Sequence, residues 1–185
     1  EAIDMKESYT FSLEGLKPLE NGGWHNYILG VIHGIQQKGK VIPPFNLVFG
    51  GNIPEGAGLS SSAALENAIV YGLNELFDLK LSKEEMIFIS QKAEHEFVGV
   101  KCGIMDQYAS MFGQKNTALL LDCRSISSKP FDIDLDSYQI LLINTNVKHS
   151  LSDSAYNKRR EVCEKVSNLL NINALRDTNP IDLQT

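Results

Sequence analysis

The stretch GGNIPEGAGLSSSAALENAIVYGLNELF, from Gly50 to Phe77, constrains this chain more than any other. The apolar run FNLVFGG leads into it and reads as a short buried strand ending at Gly50-Gly51. Beyond it, Leu65, Ile69, Leu73, Leu76 and Phe77 recur at helical spacing. A helix N-terminus presents unpaired N–H groups and the positive end of a dipole. Glycine lets the backbone approach an anion closely, so a strand, a Gly-rich turn and a helix start together form a phosphate cradle. Gly56 and Gly58 supply the turn, Ser60, Ser61 and Ser62 add hydroxyls, and Ala63 and Ala64 keep the first helical turn slim. The plainer alternative is that the serines cap the helix and the glycines only turn the chain. Neither G-K-[ST] nor G-x-G-x-x-G occurs, which argues against a Walker loop and a dinucleotide fold.

The other periodicities surround this turn. SYTFSL alternates as a strand does, and NGGWHNYILGVIHGIQQKG reads as a helix from about Trp24, closed by Gly39. Ser82-Lys83-Glu84-Glu85 is a capping box, and the helix behind it carries Met86, Ile89, Ala93 and Phe97 on one face. VGVKCG breaks that helix, and IMDQYASMF forms a short one ending at Gly113. TALLLD and YQILLINTN read as buried strands, and an amphipathic helix runs from about Ser154 to Leu170 with Arg159, Cys163, Val166 and Leu170 in register. Strands and helices mix without strict alternation, which favours α+β over a doubly wound parallel sheet.

Composition narrows the function classes. With 185 residues, 43% hydrophobic and 22% charged, the chain suffices for one globular domain and part of a second. The net charge of −6 argues against non-specific nucleic-acid binding, and the basic run Lys158-Arg159-Arg160 reads as a solvated helix face. No run reaches membrane-span length and the start shows no secretory pattern, so no membrane partner is expected. Cys102, Cys123 and Cys163 are odd in number and lack metal spacing, which fits reduced thiols in a cytoplasmic protein.

The wording of the turn goes further. PEGAGLSSSAA, Pro54 to Ala64, resembles the P-x₃-G-L-x-S-S-A loop of the GHMP small-molecule kinases, whose loop wraps the phosphates of ATP. The resemblance implies phosphate contacts from Gly56, Ala57, Gly58, Leu59, Ser60, Ser61 and Ser62, with Ser62 on Mg²⁺. AEHEFVGVKCGIMDQYASMFG is similar to the galactokinase segment around C-G-I-M-D-Q. On chemistry alone, Glu94 and Asp106 flank one loop, and a kinase needs one carboxylate for the metal and another beside the acceptor hydroxyl. The resemblance makes Glu94 a metal ligand, Asp106 the catalytic base, and Gly103 with Asp106 part of the sugar site. NTNVKHSLSDSAYNKRREVCE resembles the family's N-x-x-V-x-H-x-L…Y-x-x-R-R stretch, which places Tyr156 against the sugar; packing of that ring on a sheet is the alternative. His149 reads as a local hydrogen-bonding residue. GGWHNYILGV is similar to the family's W-x-N-Y helix, which puts Trp24 either at the adenine or in the core.

The family's fold is a two-domain α+β arrangement, with an N-terminal domain like ribosomal protein S5. The implied division is 1–150, a partial ATP-binding domain, and 151–185, the truncated start of the second. The implied reaction is transfer of the ATP γ-phosphoryl to the anomeric hydroxyl of D-galactose, in a cytoplasmic enzyme that is a monomer. Nothing here resembles the family's G-R-x-N-x-I-G-E-H-x-D-Y segment, so these residues read as an internal piece that is inactive alone. A kinase for N-acetylgalactosamine or L-arabinose is the nearest rival. A sugar sensor is the rival of another class, and the intact serine loop and Asp106 speak against it.

Overall fold

The computed structural model describes residues 1–54, 57–144, 155–179 and 181. Five α-helices and one hairpin form the regular structure: α1 Trp24–Gln37, α2 Ser61–Phe77, α3 Lys83–Ala93, α4 Met105–Phe112, β1 Thr117–Asp122, β2 Ser127–Asp132 and α5 Ala155–Leu169. The class is α+β, as expected.

Helices α1, α2 and α3 enclose the main core, built on Ile28, Val31, Ile32, Ile35, Ile69, Val70, Leu73 and Ile89. Two glycines let α1 press close against α3. A Cβ at Gly30 would stand 2.7 Å from the Ala93 Cβ and 2.8 Å from its Cα, and one at Gly34 would meet Ile89 at 2.9 Å. Gly30→Val is therefore expected to destabilise the protein by about 1–3 kcal/mol, because overpacking against backbone outweighs the helix-propensity gain. A denaturant midpoint equal to the wild type's would show that the two helices can part freely.

The capping box at α3 is formed in both directions. Ser82 Oγ accepts from the Glu85 amide at 3.2 Å, and the Ser82 amide donates to Glu85 Oε2 at 3.0 Å. Helix α3 continues into a π-helical turn, Glu94–Val98, closed by Gly99 at φ 83°. A smaller core of Ile87, Ile104 and Tyr108 ties α4 to α3 and the hairpin, with Leu119, Leu121 and Ile126 packed on it. Tyr108 Oη donates to Ser128 Oγ at 3.0 Å.

Three expected strands do not form ladders among the described residues. Phe45, Leu47 and Phe49 turn inward and Asn46 and Val48 outward, as strand periodicity demands. Yet this segment makes only one bridge, parallel, between Ala2 and Phe49. Phe11 and Leu13 likewise lie on the core from an irregular segment. Residues 138–144 are irregular and exposed, Leu141 to 80%. In each case the apolar pattern is that of a strand, but among the described residues no run of paired N–H and C=O groups extends along it; residues 1–3 meet Leu47 and Phe49 through isolated bonds only. The TALLLD strand does form, because β2 pairs with it antiparallel from Thr117↔Asp132 to Asp122↔Ser127; its partner was not foreseen.

Two helix faces differ from expectation in part. In α2 the expected Ile69 and Leu73 are buried and Leu65 and Phe77 pack on the core, but Leu76 is 64% exposed, and Glu66, Val70 and Asn74 complete the buried stripe. In α5 Cys163 and Val166 face solvent, and among its described side chains only Ser167 is buried. Among the described residues, the short 3₁₀ turn Leu175–Asp177 packs on α5, and most of the helix is exposed. The expected domain boundary at 150/151, His149 and Gly56 lie outside the described residues. No helix among them is long and apolar enough to cross a membrane.

Candidate phosphoryl-transfer site

The turn into α2 is strained where a cradle would need it. Gly58 has φ +73°, and Ser60, the N-cap, stands in the left-handed region at φ 54°, ψ 42°. A non-glycine residue there marks an imposed conformation. The Ser60 hydroxyl makes no capping hydrogen bond. The capping alternative therefore fails at Ser60, and the first α2 amides, whose partners lie outside the helix by construction, stay directed at the turn. Ala57, Ser60, Ser61 and Ser62 are half-buried, whereas Gly58 and Leu59 are exposed.

Burial pushes the carboxyl of Glu94, in the π turn, above the ordinary range. Against that push the hydroxyl of Ser62, near the start of α2, favours the charged form, and the charge of Asp106 adds a smaller push upward. Asp106 itself is half-buried in the first turn of α4. The π turn buries Glu94 to 3% exposure within reach of the Asp106 charge, in keeping with the frequent use of π turns at functional sites. Thus the structure brings Ser62, Glu94 and Asp106 from three elements to one place.

The loop between Glu94 and Asp106 is tied down on both sides. The Cys102 carbonyl accepts from Gln91 Nε2 at 3.3 Å and lies 2.8 Å from His95 Nε2. The Cys102 thiol is pushed up to about 12, first by burial and then by the charges of Glu94, Glu66 and Asp106, so it stays protonated and unreactive. Gly103 is exposed, with open space where a Cβ would stand. Tyr156 is 56% exposed in the first turn of α5, and its neighbour Asn157 docks that helix onto the loop. Asn157 Nδ2 donates to the Gly99 carbonyl at 2.8 Å, and its Oδ1 accepts from the Lys101 amide at 2.9 Å. Trp24 stands apart from this group in its contacts: it stacks on His25 at 3.8 Å between centroids, meets Phe49 edge-on, and donates from Nε1 to Glu7 at 2.7 Å.

Sequence reasoning missed Asn157, Glu66 and Gln107. Glu66 had a visible signal, since it lies three, four and seven residues before Ile69, Val70 and Leu73 on the apolar stripe. Among the described residues no three His, Cys, Asp or Glu side chains converge as a metal cage. Ser62 and Glu94 nonetheless fit a hard cation. They offer oxygen donors, no described cation acts on the Glu94 carboxyl, and Mg²⁺ takes only one or two carboxylates beside water and phosphate oxygens.

Residues 26–114 match the family described as GHMP kinases N terminal domain. This chain carries a GHMP kinase N-terminal domain. It is 48% identical over 170 residues to a galactokinase of Clostridium tetani, covering 91% of this chain and 43% of that protein. It is 43% identical over 175 residues to a galactokinase of Thermotoga neapolitana, covering 95% of this chain and 49% of that one. Its structure matches that of Lactococcus lactis galactokinase complexed with galactose, with a TM-score of 0.83 and 33% identity over 94% of this chain and 46% of the other. The chain thus spans just under half the length of the relatives it matches.

Proposed function

We propose that the whole protein carrying this GHMP kinase domain is a cytoplasmic galactokinase, which moves the γ-phosphoryl group of ATP to the anomeric hydroxyl of D-galactose. The observation that carries the reading is the meeting of Ser62, Glu94 and Asp106 beside a strained, uncapped helix start. The relatives named galactokinase, and the one solved with galactose, support the sugar.

In this mechanism the loop from Gly56 to Ser62 binds phosphate oxygens through its amides and hydroxyls. Ser62 and Glu94 would hold Mg²⁺, which neutralises phosphate charge when bound. Asp106 accepts a hydrogen bond from the anomeric hydroxyl, aims that oxygen at the γ-phosphorus, and takes the proton as the new O–P bond forms and ADP leaves. No covalent enzyme intermediate is required. Gly103 leaves room for the sugar beside Asp106, Tyr156 lays its exposed ring against the sugar, and Trp24 borders the adenine. The protein acts as a monomer.

The test is ADP release by the whole protein over a panel of sugars. Galactose turning over well ahead of N-acetylgalactosamine and L-arabinose is the expected result. Preference for either of those two, or sugar and ATP binding without turnover, would replace the proposal with a related kinase or a sensor.

A further inference from the structure

Helix α2 buries a carboxyl that the mechanism above does not use. Glu66 is 0% exposed, and neither of its carboxyl oxygens closes a hydrogen bond. Acidic side chains are almost never buried completely without a partner, since a bare charge there is very costly. The surroundings of Glu66 are polar, and they belong to the site. The side chain of Gln107 lies beside it, and the charge of Glu94 acts on it. Gln107 is itself 1% exposed, with Oε1 unpartnered. The next residue on α2, Asn67, grips the same place from the backbone: its Nδ2 donates to the Gln107 carbonyl at 2.8 Å. Gln107 Nε2 reaches toward Cys102 Sγ at 3.7 Å, on the far side of the loop. Burial, reinforced by Glu94, holds the Glu66 carboxyl above the usual carboxylate range.

The geometry has a consequence for catalysis. The same helix that opens with the phosphate loop carries Glu66 and Asn67 one turn further on, and Gln107, which Asn67 holds and Glu66 lies beside, directly follows Asp106. We propose that Glu66 is a positioning residue for Asp106: packed beside Gln107 on the buried face of α2, it sets the first turn of α4 in register with the phosphate cradle. This rests on Asp106 being the base of the proposed kinase. Phosphoryl transfer depends on alignment of the attacking oxygen, so a loosened brace lowers turnover more than binding.

The experiment compares Glu66→Gln and Glu66→Met in the whole protein, measuring kcat and KM for galactose and ATP, calorimetric affinity for each, and melting temperature. An amide supplies both donor and acceptor, so Glu66→Gln is expected to keep turnover within about threefold of wild type. Glu66→Met fills the space without polar atoms; its kcat is expected to fall about 10- to 100-fold, with both affinities kept. Its melting temperature is expected to hold or rise, as replacing an unpartnered buried carboxyl by an apolar group of similar size allows. A Glu66→Met enzyme as fast as wild type overturns the role, and so does a slow one whose affinities and melting temperature collapse together. Should Glu66→Met not fold, Gln107→Leu decides: the same kcat loss with affinities kept supports the brace, and normal kcat overturns it. Absence of galactose-dependent ADP release by the wild type strikes the kinase reading along with the brace. An active wild type matched by Glu66→Met strikes the brace alone.

Discussion

Asp106→Asn in the whole protein is expected to lower turnover by about 10²–10⁴-fold, the range over which a lost general base acts. Asparagine keeps the shape of the side chain and removes the proton acceptor. Half-buried in the first turn of α4, Asp106 has neighbours that hold its backbone independently of its carboxyl: Asn67 binds the Gln107 carbonyl, and the Tyr108 amide donates to Ile104 at 2.9 Å. The substitution should therefore leave the turn in place and galactose and ATP bound. In a loose phosphoryl-transfer transition state the nucleophile needs little activation, so much of the loss reflects orientation of the hydroxyl. A carboxylate that merely complements the helix dipole predicts something else, about 0.3–1 kcal/mol of stability and little change in rate. Turnover and melting temperature measured on one preparation separate the two. A less stable protein of near-normal turnover would refute the catalytic role.

How much of this was legible in the sequence depends on what each residue leans on. The capping box, α1, α2, α3 and α4 were readable because their signals are local: Ser82 and Glu85 satisfy each other within one turn. The phosphate turn was readable as a motif, but its left-handed Ser60 was not, since strain in one residue is imposed by its surroundings. The apolar run FNLVFGG was read as a short buried strand, and Phe45, Leu47 and Phe49 do lie on the core while Val48 is exposed; a ladder needs a second chain segment, and an apolar run says nothing of where that lies. The helix pattern in α5 marked a face without saying what covers it.

The site divides the same way. Ser62, Glu94 and Asp106 could be named from the family motifs they sit in, but only the fold brings them together across α2, the π turn and α4. Glu66 was passed over because α2 was read for its apolar residues alone: Ile69 and Leu73 were placed on the core, and a carboxyl in register with them was not considered. Asn157 carried no signal at all, as its two hydrogen bonds join segments 56 and 58 residues apart in sequence.

Ser62→Ala and Glu94→Gln are each expected to raise the Mg²⁺ concentration needed for half-maximal turnover, Glu94→Gln by at least about tenfold, since charge binds a hard cation more than a hydroxyl does. The Glu94 variant has a second signature, in stability. Burial raises the carboxyl of Glu94 above its unfolded value, so its ionised form costs stability once pH exceeds the ordinary carboxylate range, and the cost is absent in acid. Removing that charge should raise the melting temperature at neutral pH without Mg²⁺, and the gain should shrink as the pH falls toward the unfolded carboxylate range. Ser62→Ala should move the other way, because its hydroxyl eases the Glu94 charge. A protein made more stable and less active by one substitution is what a residue kept for its ligand, at the expense of the fold, would show. Mg²⁺ should also stabilise the wild type in the presence of ATP more than it stabilises Glu94→Gln. An unchanged Mg²⁺ titration in both variants would return Ser62 and Glu94 to ordinary packing roles, whatever the melting temperatures do.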